Sequence, residues 1–144
     1  MTTPEIIAEI AAIRIADSED YELLERINEL MDALRQNSDS PEACAALMHL
    51  LERHPDVEFG TPGEPVHTLE NYAGHYEPLL MASLKRQPAL MTVWMLNRIL
   101  NSATGYERRE LLEALQVAAA HPAATALVRQ SALDFLAHQS SKKK

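Results

Sequence analysis

LMHLLERHP (47–55), LMASLKRQP (80–88) and ALQVAAAHP (114–122) are three versions of one phrase. Each carries apolar residues eight, seven and four places before its proline, the spacing of one helical face. Pro55, Pro88 and Pro122 fall 33 and 34 residues apart. Proline lacks the N–H that an α-helix interior needs, so each phrase reads as a helix reaching its end. A helix–proline–helix period of this length describes hairpins that bury their apolar faces only by stacking on one another. The predicted fold is therefore all-α, a stack of helical hairpins with about eight helices, in preference to an irregular bundle.

Outward from the repeat, the remaining elements follow. Thr3 and Pro4 open a first helix striped by Ile6, Ile7, Ile10 and Ile13. Ser18 opens a second, striped by Tyr21, Leu24, Ile27, Met31 and Leu34, with acidic residues at its positive end. Ser40 and Pro41 open a third, running to about Arg53. PDVEFGTPGEP (55–65) is a long Pro/Gly loop. Helices over 66–73, from near Pro78 to Gln87, 90–103, 106–120 and 123–138 complete the chain, with Gly74 and Gly105 as stops. Residues 1–139 form one domain on this reading, and 140–144 (SSKKK) a disordered tail. HPAATALVRQSALDFL (121–136) resembles the second helix of a HEAT repeat, with Val128-Arg129, Ala132 and Leu136 after the turn proline. That resemblance implies a HEAT-like α-solenoid in which Arg129 caps carbonyls or pairs with a neighbouring hairpin. The tetratricopeptide and ankyrin signatures are missing.

Composition agrees with helix: 47% of the 144 residues are hydrophobic and only 5% aromatic. The single cysteine, Cys44, excludes an internal disulfide and a cysteine-rich zinc site. No apolar run approaches the roughly 18 residues of a membrane span. Glu5 and Glu9 interrupt the N-terminal apolar residues, which argues against a secretory leader. The predicted location is cytoplasmic, with no membrane partner. The net charge of −8 is unevenly placed. Residues 1–77 hold 17 acidic side chains against four Arg, and the rest of the chain four against nine Lys/Arg. Such a chain repels nucleic acid and attracts a basic protein.

Motifs for chemistry are missing. His49 and His54 lie five apart, which on a helix turns them to different faces, and the HExxH spacing is absent. His67, Glu70 and His75 flank a short helix and read as ordinary side chains. His54 and His121 precede prolines at helix ends, where a cation would satisfy the last carbonyls. No GxSxG elbow or phosphate loop is present. Gly60-Thr61-Pro62-Gly63 reads as a turn, and Cys44 as a small core residue. The expectation is a protein that is not an enzyme and needs no cofactor or metal. TVWMLNRILN (92–101) is distinctive: Trp94, Asn97, Arg98 and Asn101 share the arc opposite its apolar stripe. They read as a polar seam between hairpins, with Arg98 paired to Glu70 or Glu77, or as a binding anchor.

FGTPGEPVHTLE (59–70) and YEPLLMASLKRQPALMTVWMLNRILN (76–101) together resemble a family of bacterial immunity proteins. These are encoded beside polymorphic and contact-dependent growth-inhibition toxins. The resemblance covers roughly a third of the chain. It implies an antidote that binds the C-terminal domain of one cognate toxin and occludes its active site. Many such toxins are nucleases and hence basic, which an acidic inhibitor suits. The family marks would be Phe59, Gly60, Pro62, Gly63, His67, Trp94, Asn97 and Arg98, read as scaffold rather than contacts. The expected partner-binding residues are Asp56, Glu58, Glu64, Glu70, Tyr72, Tyr76 and Glu77, carboxylates and tyrosines on and after the loop. A HEAT-like scaffold or adaptor without a toxin partner is the competing reading.

Overall fold

A computed structural model of the chain describes residues 1–60 and 63–141. Eight α-helices occupy these residues: α1 Thr3–Ala12, α2 Tyr21–Leu34, α3 Cys44–Arg53, α4 Glu64–Glu70, α5 Tyr76–Arg86, α6 Leu90–Leu100, α7 Gly105–Ala119 and α8 Ala126–Ser141. A 3-10 turn, Ser40–Ala43, leads into α3. There is no strand among the described residues, only an isolated bridge between Phe59 and Gly63. No described helix is long and apolar enough to cross a membrane.

The helices pack in two rows. α1 lies against α3, α3 against α5, and α5 against α7; in the second row α2 lies against α4 and α6 against α8. Within each hairpin α1 meets α2, α3 meets α4, α5 meets α6, and α7 meets α8. Because α4 is short, α6 also reaches across to α3. The three repeat prolines all follow first-row helices (α3, α5 and α7), so the period marks the turn of each hairpin. The leucines and methionine of the first phrase, Leu47, Met48 and Leu51, are fully buried. The core continues through Ile6, Ile10, Ile27, Leu30, Met31 and Leu34 into Leu69, Leu80 and Val93.

The turns are tied to one another along one edge of the stack. The Leu90 N–H donates to the Pro55 carbonyl at 2.7 Å. The Gln87 amide donates to the Ala123 carbonyl at 2.9 Å, and Nε2 of His121 to the Lys85 carbonyl at 2.7 Å. The Thr125 hydroxyl donates to Asp56. Nε2 of His54 accepts the Ile15 N–H at 3.0 Å, and the Ser18 hydroxyl accepts the Glu58 N–H at 2.9 Å. Irregular backbone at the turns is thus satisfied by the neighbouring repeat, as buried or half-buried polar groups require.

Several boundaries differ from the sequence reading. Thr2, not Thr3, caps α1 in a reciprocal capping box with Glu5; the Thr3 hydroxyl is buried and donates to Asp39 instead. Asp20, not Ser18, caps α2, because Ser18 is engaged with the loop after α3. α4 starts at Glu64, two residues before the expected start, and ends at Glu70. Gly105 opens α7 instead of closing α6. Ser140 and Ser141, expected in a disordered tail, belong to α8, which the buried Gln139 holds down. Lys142–Lys144 lie outside the described residues.

Candidate functional site

Most of the seven side chains expected to bind a partner are engaged within the fold. Asp56 accepts the Thr125 hydroxyl and so belongs to the tied turns. Glu64 pairs with Arg35, the residue that caps the C-terminus of α2, at 3.1 Å. Glu70 pairs with Arg98 of α6 at 3.1 Å and keeps 18% of its side chain exposed. Glu77 accepts the Gly74 N–H at 2.7 Å, closing the turn before α5. Tyr72 is half-buried. Tyr76, expected on the interface, is in the core at 7% exposure, and burial raises its phenol pKa. Glu70 and Tyr76 line one shallow pocket together with Arg98, Ile99 and Ser102. Glu58 alone stays exposed with its carboxylate unpaired among the described residues.

The polar seam on α6 is built as the sequence reading has it. The Arg98 guanidinium lies 5.3 Å from the Trp94 ring centroid while its Nε donates to Glu70. Asn97 is buried, and its side-chain oxygen accepts from Gln139 at 2.7 Å. Gln139 also donates to Asn101 at 3.0 Å and accepts from Arg108 at 3.0 Å, so α6, α7 and α8 meet at one amide. The loop marks are structural too. Gly63 has φ +101, and a Cβ there would lie 2.0 Å from the Phe59 carbonyl oxygen. Phe59 is buried edge-on to the His54 ring. Thr61 and Pro62 of the same turn lie outside the described residues.

His54 satisfies a carbonyl near the end of α3, as the sequence reading expects, but its charge state differs. It does not cap α3 as a cation. Its Nδ1–H donates to the Leu50 carbonyl at 2.9 Å, and Nε2 must be unprotonated to accept from Ile15. Burial, then the nearby Arg53 and Arg14 charges, hold its pKa below the usual histidine range against the raising effect of Leu50. Cys44 is buried, and that burial pushes its thiol pKa up to about 11, which keeps it a thiol at neutral pH. His49, His67 and His75 are exposed. No group of three or more His, Cys, Asp or Glu among the described residues is placed to hold a metal ion.

The acidic surplus collects elsewhere. All four Arg of residues 1–77 are engaged in the fold. Arg26 binds Glu9 and Glu29, and Arg35 binds Asp32 and Glu64. Arg14 donates to the Ala11 and Ile13 carbonyls, and Arg53 to the Ile10 carbonyl. Asp17, Glu19, Glu22 and Glu25 are left exposed, with no ion pair among the described residues. Tyr21, 69% exposed, stands in their midst. The bond from Glu58 to Ser18 brings the one unengaged carboxylate of the expected site alongside them. The sequence reading placed Tyr21 on the apolar stripe of α2. Ile27, Leu30, Met31 and Leu34 of that helix are buried, and Leu23 and Leu24 of its first turn are half-buried against the core, while Tyr21 is exposed. The acidic run DSED (17–20) was the legible signal; the exposed aromatic within it was not.

No protein family, no curated protein and no solved structure gives a match to this chain.

Proposed function

We propose that this chain is an immunity protein: it binds and neutralises the C-terminal domain of a cognate bacterial toxin, a basic nuclease, by occluding its active site. The toxin half of the reading rests on the resemblance of 59–70 and 76–101 to such antidotes. The binding half rests on one observation, the exposed group Asp17, Glu19, Glu22, Glu25 and Glu58 around Tyr21. Carboxylates without internal counter-charges offer an approaching basic surface its full attraction. An exposed tyrosine ring among them supplies contact area and a directed hydroxyl. In the bound state the carboxylates take the places that substrate phosphates hold in the nuclease cleft. This moves the contact surface from the loop after α3 to the α1–α2 end, because Glu64, Glu70 and Glu77 are already engaged within the fold.

The test is co-production with the toxin domain encoded by the neighbouring reading frame. The wild-type chain restores growth, and association slows with added salt as charges are screened beyond about 8–10 Å. Charge reversal at Glu19, Glu22 and Glu25 lowers the on-rate by about tenfold or more with the helical spectrum unchanged. Arg109→Glu is the control: that side chain stacks on exposed Tyr106. Arg108 and Arg129 are unsuitable controls because both hold backbone carbonyls at helix ends. Loss of protection in Arg109→Glu, with the acidic reversals still protective, would place the toxin on the opposite end of the stack.

A further inference from the structure

The first-row helices are tied to one another at their turn ends. The α1–α3 junction is tied by Arg53, which donates to the Ile10 carbonyl. The α3–α5 junction is tied by Arg86 and Glu52 at 2.6 Å. Between α5 and α7 the ties lie at the same end, where His121 and Gln87 reach across. Beyond them a cavity of about 440 Å³ opens to solvent. Its floor is apolar: Met81 and Leu84 from α5, Leu111, Ala114 and Val117 from α7. Val117, 53% exposed, is the most open of these side chains.

One rim is acidic. Glu107, Glu110 and Glu113 recur every three residues along α7, all exposed and none in an ion pair among the described residues. Lys85 is the single cation lining the groove. The basic residues of α7 face elsewhere, Arg108 towards Gln139 and Arg109 over Tyr106. The acidic stripe therefore stands out within a half of the chain whose charge is otherwise positive. From Glu107 to Val117 the groove wall runs about 15 Å, the length of roughly three turns of a docked helix.

We propose that this groove is a docking site for an amphipathic helical segment of a partner protein, with apolar anchors on one face and Lys or Arg along its flank. The apolar face fills the floor, in the manner of a helix laid in a groove. The basic flank meets the glutamate rim, which selects basic amphipathic segments over neutral or acidic ones and fixes their direction. The site is distinct from the α1–α2 acidic end and stands whether or not the chain is an immunity protein.

The probe is a fluorescent helical peptide of alternating Leu and Lys faces, with a Leu/Glu peptide of the same apolar pattern as its counterpart. Binding is followed by anisotropy and mapped by amide shifts of the isotope-labelled full chain. The expected result is saturable binding of the lysine peptide, weakened by salt, with shifts at Met81, Leu111, Ala114 and Val117. Reversal of Glu107, Glu110 and Glu113 to Lys weakens it about tenfold or more, and reversal at Glu22 and Glu25 leaves it unchanged. Those reversals are on exposed positions, and a helical spectrum confirms folding. Shifts confined to α2, equal binding of the Leu/Glu peptide, or no binding of either peptide would each overturn the proposal. So would a concentration-dependent dimer that closes the groove, which would make a second copy the occupant.

Discussion

Two hydrogen bonds fix the protonation state of His54. Nδ1–H must donate to the Leu50 carbonyl, and Nε2 must accept the Ile15 N–H. A second proton would put N–H against N–H in a site that also lies near Arg53 and Arg14. The folded imidazole therefore has a pKa below that of the unfolded chain, about 6.5. The unfolded state then binds more protons as the pH falls below that value. The stability from this group is complete above about pH 6.5 and is lost as the pH falls through 6.5 towards the folded pKa. Urea unfolding should give a lower midpoint at about pH 5.5 than at about pH 7.5, before most carboxylates titrate. His54→Gln, which can both donate and accept but carries no charge, should flatten that difference. An unchanged difference in the variant would assign the slope to another group. His54→Leu, leaving the Ile15 N–H and Leu50 carbonyl without partners, should cost about 1–3 kcal/mol at neutral pH.

Among the elements, α4 depends most on its neighbours. Seven residues are too few for a helix to hold its shape alone in water. Val66 and Leu69 anchor it in the core. Its ends are pinned from either side, Glu64 by Arg35 at the C-terminus of α2 and Glu70 by Arg98 of α6. Arg35 also donates to the Thr68 hydroxyl at 3.2 Å. Both arginines are partly exposed, so each pair contributes only about 0.5–1 kcal/mol. The double variant Arg35→Ala/Arg98→Ala should leave the global unfolding midpoint nearly in place. Amide exchange within α4 should rise by several-fold, while α3 and α6 keep their protection; unchanged exchange in α4 would show that Val66 and Leu69 suffice. This element also marks where the sequence stops being legible. The repeat prolines announce themselves because proline ends a helix whatever surrounds it. The start of α4 at Glu64 follows from Gly63 folding against the Phe59 carbonyl and from a guanidinium at the end of α2, neither of which has a local signature. Arg98 with Glu70 could be read because helical spacing put Trp94 and Arg98 on one arc. Tyr76 could not, since nothing near it in the chain marks it for the core. For the candidate site, the acidity was legible as composition, but which carboxylates stay free depended on where each arginine lands.

Burial is densest in the middle of the molecule, in α3 and α6, and thin on the last hairpin. α3 places Cys44, Leu47, Met48, Leu50 and Leu51 in the core, whereas α8, longer by six residues, buries only Val128, Ala132 and Gln139. Tyr106, Val117, Leu127 and Leu133, all on the last hairpin, are among the largest exposed apolar side chains. In a stack of hairpins, stability is close to a sum of unit terms and nearest-neighbour interfaces, so the end unit with the leanest interface opens first. What holds α8 near its C-terminus is polar: Gln139, fully buried, joins Asn97 and Asn101 of α6 to Arg108 of α7. Such a hub is favourable only while every member is paired, because a single truncation leaves buried donors and acceptors unsatisfied. Native-state hydrogen exchange should therefore find α8 exchanging through a partial opening, with α1, α3 and α5 protected to the free energy of global unfolding. Gln139→Ala should speed exchange in α8 by about tenfold or more, which corresponds to about 1.4 kcal/mol, and change α1 and α3 far less. If α8 and α3 instead exchange together, at one rate and with the same denaturant dependence, the chain unfolds as a single unit and its hairpins do not contribute separately.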